Sequence, residues 1–137
     1  MQDEKRKMAV ERPIRVMSYE TDYMRIVSNI VYVKWFEDLR TAILDEHFPL
    51  ADMLRTGHSP ILAETRLKYK RPITMDDSPV GLAWLEELRG SRWVARFEIS
   101  VGAAVHCEGR QVGYYYNLET KRPERFPEEF LASWEKM

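Results

Sequence analysis

Asp22 is the residue whose type and position best suit a chemical role. It stands one short turn before a segment of helical periodicity that begins near Asn29. A carboxylate can attack a carbonyl group directly or remove a proton from water. The first N–H groups of a helix lack intrahelical partners and carry the positive end of its dipole, so they can stabilise an oxyanion. The alternative is that Asp22 is a turn or capping residue, because aspartate is common at such positions.

The other titratable residues give weaker signals. His47 and His58 lie in loop-like surroundings, where solvated or capping roles are typical, and no spacing indicates a Ser-His-Asp arrangement. Cys107 is the one cysteine of the chain, which excludes an internal disulfide and a cysteine-based metal cluster. We therefore expect no metal and no other cofactor.

A long amphipathic helix must position these groups. It is predicted from about Asn29, and its apolar residues recur every three or four positions on one stripe: Tyr32, Trp35, Phe36, Leu39 and Ile43. Ser28 or Asn29 can supply the capping oxygen at its start, and Pro49 prevents it from running on. The segment from Pro49 to Arg55 is compatible with one further helical turn.

Strand patterns account for most of the remaining chain. Residues 1–11 are charged and aperiodic and are interpreted as a flexible arm, so the first strand is predicted from Ile14 to near Tyr19. Alternation predicts later strands over residues 61–69, 80–88, 93–101, 103–107 and 112–118. Gly102 is interpreted as a bulge or bend, Glu108-Gly109-Arg110 as a hairpin turn, and residues 128–136 as a short terminal helix. Short connections favour antiparallel neighbours, which predicts an α+β domain with one helix packed on the sheet.

Composition excludes several classes of function. A formal net charge of −1 provides no global field that would recruit nucleic acid or an anionic membrane. No apolar run approaches the roughly 20 residues that span a bilayer, and the N-terminal residues lack the apolar run of a signal peptide. We therefore expect a cytoplasmic protein that neither binds nucleic acid nor inserts into membranes.

Three segments resemble the signature of hotdog-fold thioesterases, a family that includes 4-hydroxybenzoyl-CoA, acyl-CoA and acyl-ACP thioesterases. In the first segment the matching residues are Asp22, Val27, Tyr32, Trp35, Phe36 and Glu37. The second segment is Tyr69-Lys70-Arg71-Pro72 followed by Asp77, and the third runs from Asn117 to Pro127. The chain departs from the family at Arg25, where glycine is frequent. Several branches have histidine where Asn29 stands, whereas Val27-Ser28-Asn29 looks more like the branches with Val-Asn-Asn.

The resemblance implies a single hotdog domain over residues 12–137, in which a five- to six-stranded antiparallel sheet wraps one long central helix. It implies hydrolysis of an acyl-CoA thioester to the free acid and CoA, with Asp22 as nucleophile or general base. The backbone N–H of Asn29 would be the oxyanion donor. The alternatives are an acyl-ACP thioesterase, a non-hydrolytic acyl-CoA-binding or regulatory hotdog protein, and a purely structural or interaction domain.

The same resemblance, together with the charge pattern, nominates residues that would contact the substrate. Val27, Ser28 and Tyr32 surround the start of the helix, and Glu64 is a candidate for orienting water. Arg71 and Arg92 belong to basic groups that could bind CoA phosphates, as does the group Lys121-Arg122-Arg125. The family also implies a homodimer or homotetramer with each site between protomers, where Glu37 is either a solvated residue or a carboxylate of a partner's site.

Overall fold

The long helix lies where its apolar stripe predicts it. The computed structural model describes residues 5–137. Helix α1 spans Val31–His47, and the predicted stripe residues are all buried. Ile30 is the residue before its first turn and no side chain caps it, so the prediction that Ser28 or Asn29 supplies a capping oxygen is wrong. A second helix, α2, follows at Leu50–Arg55.

An antiparallel sheet wraps α1. Its strands are β1 (Lys7–Pro13), β2 (His58–Tyr69), β3 (Val80–Arg89), β4 (Arg92–Val101), β5 (Ala104–Asn117) and the two-residue β6 (Arg122–Pro123). The spatial order is β1-β3-β4-β5-β2, with β6 paired to β5. A third helix, α3, spans Glu128–Glu135 and confirms the predicted terminal helix. No helix among the described residues is long and apolar enough to cross a membrane.

The secondary structure predicted for the N-terminal residues is wrong where the structure describes them. Residues 1–4 of the predicted arm lie outside the described residues, but Lys7–Pro13 forms the edge strand β1 and pairs with β3. Met8 and Val10 are its buried residues. The strand predicted from Ile14 to Tyr19 does not form, and a short 3-10 turn occupies Ser18–Glu20. Backbone pairing with β3 therefore stabilises a strand whose side chains show little alternation.

Strand β5 is continuous where a hairpin turn was predicted. Gly109 lies in the middle of the strand and pairs with Leu67 on one side and Phe97 on the other. A Cβ atom at this position would lie 2.2 Å from the ring of Phe36, so the absence of a side chain permits close contact between helix and sheet. The hairpin turn lies earlier, at Gly102, whose φ of +62° is readily adopted by glycine.

The core lies between α1 and the concave face of the sheet. The rings of Phe36 and Phe97 stack with centroids 4.5 Å apart. Gln111 is fully buried beneath the helix, where its side-chain oxygen accepts a 2.5 Å hydrogen bond from Arg40. This packing fixes the helix axis over the sheet and places the helix start near Tyr69, the last residue of β2.

Candidate active site

Asp22 organises the turn that precedes the helix. Its N–H donates to the carbonyl of Ile26 at 2.9 Å, and its Oδ1 accepts the N–H groups of Met24 at 2.8 Å and Ile26 at 3.2 Å. Across the part of the chain that the structure describes, no donor contacts Oδ2. The residue is exposed, so one carboxylate oxygen is fixed by the turn and the other faces outward.

Arg25 occupies the tightest position of this turn. Its φ is +63°, in the left-handed region where glycine has no steric cost. The carbonyl of Arg25 accepts the N–H of Met75 at 3.2 Å, and its guanidinium lies 3.7 Å from the exposed carboxylate of Asp76. The left-handed φ gives a physical reason for the glycine that is frequent here in the resembling family.

A short hairpin connects the Asp22 turn to helix α1. Thr21 and Val27 form an antiparallel bridge, and the N–H of Ser28 donates to the carbonyl of Glu20 at 2.9 Å. The N–H of Val27 donates to the carbonyl of Ile73 at 2.8 Å, which ties the hairpin to the loop after β2. The chain is therefore held on both sides where it passes from the carboxylate to the helix.

The helix start leaves two backbone donors free. The N–H of Val31 donates to the carbonyl of Ser28 at 2.9 Å. Among residues 5–137, the N–H groups of Asn29 and Ile30 donate no hydrogen bond. Since these groups lie at the positive end of the helix dipole, they are suited to hold a developing negative charge.

A cleft of about 470 Å³ opens beside the helix start. It is lined by Ile26, Val27, Asn29, Tyr32, Tyr69, Lys70, Arg71 and Pro72. Four predicted site residues therefore come together: Val27, Asn29, Tyr32 and Arg71. Asp22 does not line the cleft. It belongs to the hairpin that supplies two of the lining residues, Ile26 and Val27.

The sequence analysis missed Tyr69 as a site residue. Its hydroxyl donates to the carbonyl oxygen of Asn29 at 3.1 Å, and its ring meets that of Tyr32 edge to face with centroids 5.4 Å apart. Burial raises the pKa of Tyr69 and raises the pKa of Tyr32 to about 12, so both hydroxyls remain protonated near neutral pH. The motif Tyr69-Lys70-Arg71-Pro72 was noted as part of the family signature. Nothing in the motif indicated that Tyr69 would contact the helix start.

The remaining predicted residues lie outside the cleft. Ser28 is half-buried and contributes backbone hydrogen bonds. Glu64 lies on the outer face of edge strand β2 with one oxygen 3.1 Å from Nε of Arg66. Arg92 pairs with Tyr114 at the far end of the sheet, and its guanidinium binds Glu87 at 2.6 Å. Within one protomer, Glu64 and Arg92 are thus not brought to the helix start.

Comparisons with known proteins identify the family of this chain. A family model described as the thioesterase-like superfamily matches residues 16–134. In Bacillus subtilis strain 168, the protein named "Putative acyl-CoA thioesterase YneP" is 31% identical over 90 residues, which cover 65% of each chain. The chain thus spans just under two thirds of the length of that relative.

Solved structures show the same fold. The DHNA-CoA thioesterase of Staphylococcus aureus superposes with a TM-score of 0.85 at 22% identity, over 93% of this chain and 89% of that one. The S. aureus hypothetical protein SAV2348, solved in complex with CoA, also gives 0.85, at 14% identity over 96% and 85%.

The fold is that of hotdog-fold proteins. The chain belongs to the thioesterase-like superfamily. The predicted family and the predicted fold are thereby confirmed.

Proposed function

We propose that this protein hydrolyses an acyl-CoA thioester, with Asp22 as the catalytic carboxylate. The observation that carries the proposal is that a short hairpin joins a carboxylate, whose Oδ1 is fixed by two backbone N–H groups, to a helix start whose leading N–H groups are free. The name of the relative YneP supports CoA as the carrier. A cytoplasmic location stays a prediction.

This arrangement allows two routes for thioester hydrolysis. In both, the N–H groups of Asn29 and Ile30 receive the carbonyl oxygen as it becomes an oxyanion. Asp22 either attacks the carbonyl carbon, expelling the CoA thiolate and leaving an anhydride that water cleaves, or takes a proton from a water that attacks instead. In either route one water is consumed, the thiolate is protonated, and a carboxylic acid and CoA leave.

Asp22→Asn separates catalysis from folding. The amide keeps the size of the side chain and its Oδ1 acceptor, so the turn persists, but it can act neither as a nucleophile nor as a base. Turnover of the best substrate is expected to fall by at least about 10²-fold. A free-thiol assay measures this, and thermal unfolding shows whether the turn survives. Near-normal turnover in a folded variant would remove Asp22 from the mechanism.

The substrate class is tested with a panel of acyl-CoAs beside acyl-ACPs of the same acyl groups. We expect release of free thiol from at least one acyl-CoA, with a higher kcat/KM than from the matching acyl-ACP. Faster hydrolysis of acyl-ACP would identify the carrier protein as the substrate instead. Binding of acyl-CoA without release of thiol would identify a non-hydrolytic binding protein.

We also propose that the active unit is a homodimer or homotetramer, with the site completed by a partner protomer. Strand β2 is a twelve-residue edge strand whose outer backbone groups have no partner strand among the described residues. Apolar side chains near the site are strongly exposed: Tyr23 is 96% exposed, Ile30 80% and Met24 61%. Such edges and patches are normally covered, and a second copy related by a two-fold axis would cover both.

A further inference from the structure

Three arginines lie side by side on the outer face of the sheet, away from α1. The strand register places Arg66 of β2 opposite Arg110 of β5, and Arg110 opposite Arg96 of β4. Directly opposed residues of antiparallel strands have Cβ atoms about 5 Å apart. Like charges in such positions are destabilising, so this row needs compensation from other groups.

The direction of the row follows from its neighbours along each strand. Gly109 and Phe97 both contact the ring of Phe36, and therefore face the helix. Because successive residues of a strand point to opposite faces, Arg110 and Arg96 face outward. Arg66 is paired directly with Arg110 and shares its face.

Acidic residues compensate the row incompletely. Glu86 pairs with Arg96 and lies 4.0 Å from Arg110, so two arginines share one carboxylate. Glu64 pairs with Arg66 at 3.1 Å. Lys68, next to the row on β2, forms no ion pair within residues 5–137.

An open groove of about 910 Å³ runs along these side chains. Its charged lining residues are Arg66, Lys68, Arg96, Arg110, Glu86 and Glu108, which carry four positive and two negative charges. The groove is therefore a cationic surface in a protein whose net charge is −1.

We propose that this groove binds the phosphate groups at the nucleotide end of the CoA thioester. The proposal rests on the proposed function, since it assigns a place to the part of the substrate remote from the reacting carbonyl. Guanidinium groups bind phosphate oxygens through paired, charge-assisted hydrogen bonds. Arg110 shares its carboxylate partner with Arg96, so it can turn toward a phosphate while Arg96 retains Glu86.

The groove lies on the outer face of the sheet and adjoins the cleft at the end of strand β2. Tyr69 lines the cleft, whereas its neighbour Lys68 lines the groove. The ion pair between Lys70 and Glu108, at 3.4 Å, joins a residue of the cleft to a residue of the groove. Arg66 is three residues before Tyr69, or about 10 Å along the strand. A pantetheine arm that leads from a thioester at the helix start to Arg66 would pass around the end of β2, beside Lys70 and Glu108.

Binding of adenosine 3′,5′-bisphosphate, measured by calorimetry at low salt, tests the site without requiring hydrolysis. The double variant Arg66→Gln/Arg110→Gln is expected to bind at least about tenfold more weakly, because charge-assisted hydrogen bonds are lost. Lys68→Gln, which removes no ion pair found here, is expected to weaken binding several-fold. Arg55→Gln removes one positive charge from an exposed ion pair on α2 and should leave binding unchanged.

Kinetics then connect the groove to the substrate. The double variant is expected to raise KM for acyl-CoA about tenfold and to leave KM for the matching acyl-pantetheine, which lacks the nucleotide, unchanged. If the wild type and both groove variants bind the bisphosphate equally well, the groove is not a phosphate site. A change in KM that is confined to acyl-ACP would also contradict the proposal. If the double variant fails to fold, Lys68→Gln decides. If bisphosphate binding follows the prediction but no acyl-CoA is hydrolysed, the proposed function fails and the phosphate site stands.

Discussion

The hydroxyl of Tyr69 holds the peptide group at the head of α1. It donates to the carbonyl oxygen of Asn29, which belongs to the same peptide plane as the free N–H of Ile30. Orientation of backbone donors is what an oxyanion site requires, because the donors must already point at the place where charge develops. Tyr69 therefore acts as a positioning residue for the proposed reaction, in addition to forming a wall of the cleft.

Tyr69→Phe removes this hydrogen bond and retains the ring that packs on Tyr32. We expect kcat to fall about fivefold, which corresponds to the roughly 1 kcal/mol of an ordinary hydrogen bond, with little change in KM. Tyr116→Phe is the matched control, since its ring lies at the far end of β5 and its hydroxyl forms no hydrogen bond among the described residues. Equal kcat values for both variants would show that Tyr69 forms only a wall.

Helix α1 and strand β5 contact each other through a glycine. Gly109 and Phe36 bring the second turn of the helix against the middle of the sheet, and this contact sets the depth at which the helix lies. The start of α1 lies little more than one helical turn from that contact, so the position of its free N–H groups depends on it. The element that positions the site is therefore the helix-sheet pair as a unit.

Gly109→Ala is expected to destabilise the fold by about 1–3 kcal/mol, because the added Cβ would overlap the Phe36 ring. Urea unfolding of the single variant measures this cost. Combining it with Phe36→Leu, which shortens the ring to an aliphatic group, should recover part of the loss relative to the sum of the single effects. Additive costs would mean that Gly109 and Phe36 do not compete for the same space.

At the scale of the whole molecule, the protomer leaves its site half-covered. The turn of Asp22, the start of α1 and the edge strand β2 all meet at one border, and each exposes apolar side chains there. Because the same border carries the proposed active site, assembly and catalysis are expected to depend on each other.

Sedimentation over a dilution series, run beside the thiol assay, tests this dependence. We expect a dimer or tetramer at high concentration and a loss of activity as it dissociates. Leu62→Glu places a charge on edge strand β2 and should shift the dissociation to higher concentration. Leu50→Glu makes the same change at a similarly exposed leucine on α2 and should leave the dissociation unchanged. A folded monomer with full activity would contradict the shared site.

Local sequence pattern determined the parts of this protein that depend on neighbours along the chain. The stripe of α1 and the alternation of β4 were correct because large apolar residues recur at the period of each element. Asp22 stood out because of the family signature around it, and its catalytic role stays a prediction. The family motifs added the expected fold, which the structure and the family model confirm.

Only the tertiary structure decided the parts that depend on partners distant in sequence. Strand β1 forms because β3 offers its edge, and Gly109 belongs to a strand and not a turn because Phe36 packs against it. Register, set by bulges such as the one between Leu62 and Glu64, aligns the arginines of three strands into one row. A sequence lists the residues of each strand, but cross-strand distances are fixed only when backbone hydrogen bonds select one register among several.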